Sequence, residues 1–329
     1  MSETQICHQP GRHCGSTAIA DLANYHGIKW SEAFCFGMGG GLGLFYANFP
    51  GMSPSRLVHV RSTDFERNAF TRLGQSFRWQ TAADPAVSER DLRLALDDGR
   101  PAVVQTDIFY LPYYESSTHF PGHLIAVWGY DDAAGVFLVT DTERPALLEV
   151  PYAAMRDARH SKKGPFPLQG QMFAPATLSA PDDLPSATLQ AIVANSRSLL
   201  GSRIPVQGVR ALETWIAELP QWAEFPDWQW TARFAYQLIE KRGTGGGAFR
   251  LMYSEFLDEA SDDVPAVKQL GLASQMRELA SLWTDTATAF KKISEGDRPM
   301  FEEARSRLKA LLEHESAYHR LALQVDEQR

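Results

Sequence analysis

The sequence predicts an α+β protein, with a mixed N-terminal domain followed by an all-α domain. Before residue 180, amphipathic segments alternate with short strand-like runs, whereas after residue 187 apolar residues recur every three or four positions, as in helices. The intervening segment 174–186 (APATLSAPDDLPS) is rich in proline and aspartate, which is typical of a linker. We therefore expect two domains, at 1–180 and 181–329.

In the N-terminal domain, helical spacing predicts two helices, and apolar runs bounded by turn residues predict three strands. The first helix, 17–26, ends before Gly27, and the second, 88–98, has Ser88 as its N-cap. The strands are expected at 101–106, 123–130 and 136–140. The C-terminal domain is expected to contain helices at 187–200, 209–219, 228–241, 248–260, 266–293 and 298–324, with breaks at Gly271 and 294–297.

Composition argues against several classes of protein. The formal net charge of -8 disfavours a nucleic-acid partner, and no run of 18 apolar residues could span a membrane. The first ten residues, MSETQICHQP, carry no signal segment. The odd set Cys7, Cys14 and Cys35, without a Cys-x-x-Cys pair, indicates reduced thiols. We therefore expect a cytoplasmic protein, while the oligomeric state stays open.

Cys14 lies in GRHCGSTAIADL, directly before an apolar-periodic helix. The first turn of a helix stabilises a thiolate, because its free N–H groups and its dipole favour negative charge. The Cys14 N–H could form half of an oxyanion hole, Gly15 would let a substrate carbonyl approach, and Gln9 or, less well placed, Gln5 could supply a second donor. Taken alone, Cys14 could equally be a small core residue.

His123 opens the strand HLIAVWGYD, and Asp141 ends the next strand. If Gly129 faces Gly135 across the hairpin, His123 lies directly opposite Asp141, whose carboxylate would hold the imidazole in one tautomer. Without that pairing, His123 would be an ordinary buried strand histidine. The order Cys, His, Asp is that of a papain-like enzyme and predicts acyl transfer through a thioester.

Further polar residues flank these three. Asp107 opens the aromatic loop DIFYLPYY and could grip a substrate amine, or simply cap a turn. His13 and His119 are candidates for substrate contact. The spacing of His119 and His123 resembles a helical metal pair, but a proline and a glycine between them prevent the helix, so we expect no metal.

Two glycine-rich runs and one basic stretch have less specific interpretations. The run 37–43 (GMGGGLG) lacks the ending of a phosphate loop, and we predict a flexible wall near the nucleophile. The run 243–247 could be a lid or a helix break. A basic stretch could be solvated, or could dock an acidic carrier protein; it comprises Arg156, Arg159, His160, Lys162 and Lys163.

The chain resembles the family of butirosin biosynthesis protein H. Its N-terminal domain is similar in HCGSTAIADLANYHG, GMGGGLGLFY, DIFYLPYY, HFPGHLIAVWGYD and the later TD, and the helical domain of unknown function that often follows is similar in RGTGGGAFRLMYSEFLDEA. The resemblance covers most of the chain. It implies a papain-like fold in which Cys14 takes an acyl group, His123 is the base and Asp141 orients it. The family's namesake moves an aminoacyl group from the phosphopantetheine thioester of an acyl carrier protein to an aminoglycoside amine.

The leading hypothesis is a cysteine acyltransferase of secondary metabolism. It would transfer an acyl group from a carrier-protein thioester to an amine or hydroxyl acceptor, with no cofactor other than the phosphopantetheine that arrives on the donor. A hydrolase (peptidase, amidase or thioesterase) would use the same three residues with water as acceptor. A non-catalytic binding or scaffold protein on this fold is the third alternative.

Overall fold

The computed structural model describes residues 6–48, 51–164 and 167–328. The chain divides into two compact units, one built from Met1–Cys35 with Ala69–Pro181 and the other from Phe36–Asn68 with Asp182–Arg329. The second unit therefore contains a segment from the N-terminal half of the chain. Within the described ranges, no helix is both long and apolar enough to cross a membrane.

The described residues form helices and strands in the order that the sequence predicts, with several additions. The helices are α1 (Cys14–Tyr25), α2 (Glu32–Met38), α3 (Phe65–Arg72), α4 (Pro85–Asp97), α5 (Tyr152–Arg159), α6 (Leu184–Gly201), α7 (Val209–Glu218), α8 (Trp228–Glu240), α9 (Arg250–Asp263), α10 (Pro265–Gln269), α11 (Leu272–Glu295) and α12 (Glu302–Leu323). The strands are β1 (Leu42–Ala47), β2 (Leu57–Arg61), β3 (Ala102–Thr106), β4 (His123–Asp131), β5 (Val136–Asp141), β6 (Arg144–Pro151) and β7 (Met172–Phe173).

The first unit is built on an antiparallel sheet with the strand order β6-β5-β4-β3-β7. Helix α1 packs against β4 and β5. Side chains from β3 to β6 form a core with α4 and α5, because alternate residues of each strand point to the same face. This core includes Val104, Ile125, Val127, Phe137, Val139, Val150, Leu92 and Met155.

The second unit is mainly helical and also contains the antiparallel pair β1–β2. Its buried aromatic side chains include Trp215, which stacks on Phe290 with ring centroids 5.1 Å apart and on Trp222 at 6.0 Å. Large aromatic side chains bury much apolar surface, so they anchor the packing of α7 and α11. The predicted α+β class, with an antiparallel sheet and a helical C-terminal region, is confirmed.

Several predicted boundaries are wrong for identifiable reasons. Helix α1 begins at Cys14, three residues earlier than expected, and α4 begins at Pro85 with the Asp84 carboxylate as its N-cap, which accepts the Ala86 N–H at 2.8 Å. Ser88 therefore lies inside α4. By contrast, the break expected at Gly271 is present: α10 ends before this residue, whose φ is +62°, and α11 begins after it. Seven further elements were not predicted, because they lack a long periodic pattern: β1, β2, β6, β7, α2, α3 and α5.

The glycine-rich run 37–43 is buried and closely packed, so its interpretation as a flexible wall is wrong. A Cβ on Gly37 would meet the ring of Phe256, and a Cβ on Gly41 would meet the ring of Phe36. These glycines allow aromatic rings to approach the backbone, which is a packing role rather than flexibility.

The register of the β4–β5 hairpin differs from the prediction. Gly129 pairs with Leu138 rather than Gly135, and an irregularity between Val127 and Gly129 shifts the register by one residue, so that Val127 pairs with Val139. Continuing that register places Asp141 opposite Ile125 instead of His123. His123 and Asp141 are therefore diagonal neighbours on one face, which remain within reach of long side chains.

Removal of the Phe137 ring tests the core of the first unit. Phe137 is 1% exposed, so Phe137→Ala should cost about 3–5 kcal/mol of unfolding free energy through lost burial and a residual cavity. Leu94→Ala on α4 is the matched control, because Leu94 is 55% exposed and its truncation should change stability little. Urea denaturation followed by circular dichroism measures the unfolding free energy of both variants. Equal losses of unfolding free energy in the two variants would contradict the position of Phe137 in this core.

Candidate active site

Cys14 is the first residue of α1 and is partly exposed. His13 is the N-cap, and its Nδ1 accepts the Ser16 N–H at 3.1 Å. In the part of the chain that the structure describes, the N–H groups of Cys14 and Gly15 have no hydrogen-bond partner. They are therefore free to donate to a group that binds beside the thiol.

Glu32, at the start of α2, fixes the chain around this helix start. Its carboxylate accepts the backbone N–H of Arg12 at 2.9 Å and of His13 at 2.7 Å. It also accepts the hydroxyls of Ser16 at 3.1 Å and Thr17 at 3.2 Å. Charge-assisted bonds of this kind are strong, so Glu32 holds the backbone immediately before Cys14 in place. Sequence reasoning missed this residue, because a lone glutamate carries no motif.

His123 and Asp141 lie side by side at the end of the sheet. The Nε2 atom of His123 is 2.9 Å and 2.8 Å from the two carboxylate oxygens of Asp141. The side chain of Cys14 lies close enough to His123 to help raise the pKa of the imidazole, and because Nε2 faces Asp141, Nδ1 is the nitrogen available to the thiol. The structure thus brings together the three residues that the sequence selects, although through a different register.

The pKa values of the pair move in opposite directions. Burial by itself lowers the pKa of His123, but the charge and hydrogen bond of Asp141, followed by the contact with Cys14, raise it above its ordinary value. Burial by itself raises the pKa of Asp141, but the charge and hydrogen bond of His123, together with hydroxyl donors, lower it. An imidazolium beside a carboxylate is therefore favoured.

Two tyrosines and a turn residue complete the surroundings of Asp141. The Tyr113 hydroxyl donates to its carboxylate at 2.8 Å, and the Tyr114 hydroxyl lies 3.3 Å from Nε2 of His123. The Thr142 hydroxyl donates to Asp141 at 2.6 Å. Together with His123, these hydroxyl groups occupy the hydrogen-bond acceptor sites of the Asp141 carboxylate. The carboxylate therefore holds His123 in only one orientation. Both tyrosines lie in the loop DIFYLPYY, and no motif in that loop predicts their contact with Asp141.

A second histidine–aspartate pair joins α1 to the segment that precedes it. His8 Nδ1 is 2.7 Å from the Asp21 carboxylate, and His8 Nε2 is 2.9 Å from the carbonyl oxygen of Arg144. Asp21 also accepts the hydroxyl of Thr140 at 2.9 Å. Both charged partners are nearly inaccessible to solvent, so this pair ties the segment before Cys14 to the β5–β6 turn.

Asp107 and His119 form a third such pair. The Asp107 carboxylate accepts His119 Nδ1–H at 2.7 Å, the Ser161 hydroxyl at 2.7 Å, and the backbone N–H groups of Phe109 and Phe120. Asp107 is wholly buried and its hydrogen-bonding capacity is filled. It therefore orders the aromatic loop, as the capping interpretation expects, and it has no oxygen left to grip a substrate amine.

The other candidate residues take varied positions. Gln9 is exposed, its backbone N–H donates to Asp21 at 3.4 Å, and its side chain makes no hydrogen bond within the described residues. Gln5 lies outside the described residues. Cys35 is fully buried, whereas Cys7 is partly exposed like Cys14. Among the described positions, no group of three or more His, Cys, Asp or Glu could hold a metal ion.

The basic stretch after β6 is largely engaged within the protein. Arg156 pairs with Glu89 at 3.1 Å, and the buried Arg159 donates to the carbonyl oxygens of Ser88 and Gly170. Only part of the stretch therefore faces solvent. The run 243–247 links α8 to α9 in the second unit, where Gly247 N–H donates to Glu240 at 3.0 Å.

The structure defines an α+β protein in which Cys14, His123 and Asp141 lie at one end of the antiparallel sheet. Residues 13–142 match the family described as butirosin biosynthesis protein H, N-terminal, and residues 153–322 match the domain of unknown function DUF4872. The chain belongs to the butirosin biosynthesis protein H-like family, in which these two domains follow one another. The resemblance seen in the sequence is confirmed, and it implies a biosynthetic enzyme related to butirosin biosynthesis. Among curated proteins, none matches the chain significantly.

Replacement of Asp141 by asparagine should lower the pKa of His123. The substitution removes the charge that opposes the effect of burial, so the neutral imidazole becomes favoured. An NMR titration of the imidazole C–H resonances measures the shift. Asp107→Asn is the matched control and should leave the pKa of His123 unchanged, because Asp107 bonds to His119. An unchanged pKa of His123 in Asp141→Asn would exclude the pairing.

The same pair predicts how stability depends on pH. The raised pKa of His123 contributes stability that is fully present below its unfolded value of 6.5 and is lost as the pH rises through the folded value. The lowered pKa of Asp141 contributes stability above its unfolded value of 3.8 that is lost as the pH falls. The loss of unfolding free energy in Asp141→Asn should therefore be greater near about pH 5 than near about pH 9 in urea denaturation. Equal losses of unfolding free energy at both pH values would argue against the pairing of His123 with Asp141.

Proposed function

We propose that this protein is a cysteine acyltransferase with a papain-like N-terminal domain, in which Cys14, His123 and Asp141 are the catalytic residues. One observation carries the proposal. Among the described residues, Cys14 begins a helix whose first N–H groups are free, and it interacts electrostatically with His123, whose Nε2 is held 2.8 Å from Asp141. The nucleophile thus lies beside the base, and the base is held by the orienting carboxylate. Covalent acyl transfer requires this arrangement.

In the first step, the Cys14 thiolate attacks the carbonyl carbon of a thioester donor. A new carbon–sulfur bond forms to Cys14 while the bond to the donor sulfur breaks, and the proton held by His123 passes to the departing thiolate. The N–H groups of Cys14 and Gly15 stabilise the oxyanion of the tetrahedral intermediate. Donor and acyl-enzyme are both thioesters, so the step exchanges bonds of similar energy.

In the second step, an amine or hydroxyl acceptor attacks the acyl-Cys14 carbonyl. The proton of the acceptor passes to a basic side chain, the carbon–sulfur bond breaks, and Cys14 is restored as a thiolate beside His123. Membership of the butirosin biosynthesis protein H-like family supports an acceptor other than water. We propose a carrier-protein thioester as the donor, in a cytoplasmic biosynthetic setting.

Covalent capture of an acyl group tests this function. The protein is mixed with an aminoacyl N-acetylcysteamine thioester and analysed by intact-protein and peptide mass spectrometry. We expect one acyl adduct, on Cys14, because Cys14 is the cysteine that interacts electrostatically with His123. Cys14→Ala should lose the adduct, whereas Cys7→Ala, which removes another partly exposed thiol, should retain it.

The products then distinguish the alternatives. Added ethanolamine should yield the amide in preference to the free acid if the protein is a transferase. Free acid alone would indicate a hydrolase with the same residues. An adduct that persists in Cys14→Ala would disprove the assignment of the nucleophile, and no adduct together with unselective iodoacetamide labelling of the cysteines would favour a binding or scaffold protein.

A further inference from the structure

Three adjacent strands place two histidine–aspartate pairs at one end of the sheet. Strand β4 begins at His123, its neighbour β5 ends at Asp141, and its other neighbour β3 ends at Thr106, which pairs with His123. Asp107 directly follows Thr106. Because antiparallel neighbours begin and end at the same edge, Asp107 lies at the edge that carries His123.

The loop between Asp107 and His123 returns His119 to the same edge. Both ends of the loop are fastened to Asp107, because its carboxylate accepts the N–H of Phe109 at 3.2 Å and of Phe120 at 2.8 Å. The Phe120 ring lies against Gly122, immediately before His123. His119 is therefore fixed in a short loop that leads directly into the proposed base.

The two members of this pair differ sharply in exposure. The Asp107 side chain is 0% exposed, whereas the His119 side chain is 28% exposed. His119 donates Nδ1–H to Asp107 and stacks on Phe109 with ring centroids 4.1 Å apart. Within the described ranges, its Nε2 has no hydrogen-bond partner. A buried carboxylate thus selects the tautomer whose Nε2 lone pair faces outward, which is the form of a general base.

From this geometry we propose that His119 is the general base for the acceptor, with Asp107 as its positioning residue. The acceptor is a primary amine or a hydroxyl that binds along the loop 108–122 beside the acyl-enzyme. This inference rests on the proposed acyl-Cys14 intermediate and divides the two proton transfers between two histidines. His123 serves the formation of the acyl-enzyme, and His119 serves its transfer.

The chemistry of the second step then balances without a further reagent. The acceptor nitrogen forms a bond to the acyl carbon, and the carbon–sulfur bond to Cys14 breaks. The electron pair of that bond returns to the Cys14 sulfur as thiolate beside His123. The proton lost by the acceptor nitrogen passes to Nε2 of His119 and from there to solvent, since this side chain is partly exposed. His123, which gave its proton to the donor thiolate in the first step, takes up a proton from solvent, and the cycle closes.

His119→Gln separates the two steps. Its amide can still donate a hydrogen bond to Asp107, but it has no basic nitrogen. In rapid-quench mass spectrometry with the aminoacyl N-acetylcysteamine thioester, we expect acylation of Cys14 to be within about twofold of wild type, and transfer to ethanolamine to be about 100-fold slower. Added imidazole should partly restore transfer in His119→Ala.

Ser161→Ala is the matched control, because it removes another hydrogen bond to the same carboxylate, of 2.7 Å, and leaves the imidazole in place. It should transfer within a few-fold of wild type. Normal transfer in His119→Gln, or an equal slowing of acylation and transfer, would overturn the role of His119 while leaving the proposed function intact. If wild type forms no acyl-Cys14, the proposed function fails and this inference fails with it.

Discussion

The irregularity of β4 between Val127 and Gly129 is the constraint on which the site depends. Near the turn, Gly129 pairs with Leu138, and that register would place Asp141 opposite Ala126, on the face away from His123. The one-residue shift makes Val127 pair with Val139 and returns His123 and Asp141 to a common face. A bulge adds one residue to one strand, so the side chains beyond it switch to the opposite face of the sheet. Here the switch also places core side chains of β4 and β5 on one common face.

A second set of contacts fixes the nucleophile relative to the base. Gly11, three residues before Cys14, donates its N–H to the carbonyl oxygen of Thr142 at 2.9 Å, directly after Asp141. A Cβ on Gly11 would collide with Thr17 and would lie 2.9 Å from the Glu32 carboxylate, so only glycine fits there. The segments that carry the thiol and the carboxylate are thus joined by backbone, and their separation does not depend on flexible side chains.

The helical unit uses the same principle of a buried, fully engaged carboxylate. Glu315 is inaccessible to solvent and accepts Nε–H of Arg250 at 2.8 Å and the indole N–H of Trp283 at 2.6 Å. His319 lies 3.0 Å from its other oxygen. A buried charge is tolerated only when it is paired and hydrogen-bonded, and such a network favours one arrangement of α9, α11 and α12 over alternative packings. Arg250 lies in the segment RGTGGGAFRLMYSEFLDEA, by which the sequence resembled the family.

The amino-acid sequence alone was enough to predict the features that depend on local pattern. It predicted the α+β class, the strands that carry His123 and Asp141, and a helix that begins beside Cys14, because apolar spacing and turn residues act over a few positions. It could not predict the hairpin register, the hydroxyl donors on Asp141 or the anchoring by Glu32. Those depend on contacts between residues far apart in the chain, and a single bulged residue reverses the face of a whole strand. The hydrogen bonds that occupy the Asp107 carboxylate likewise depend on the tertiary structure, because only packing decides which donors reach a buried oxygen.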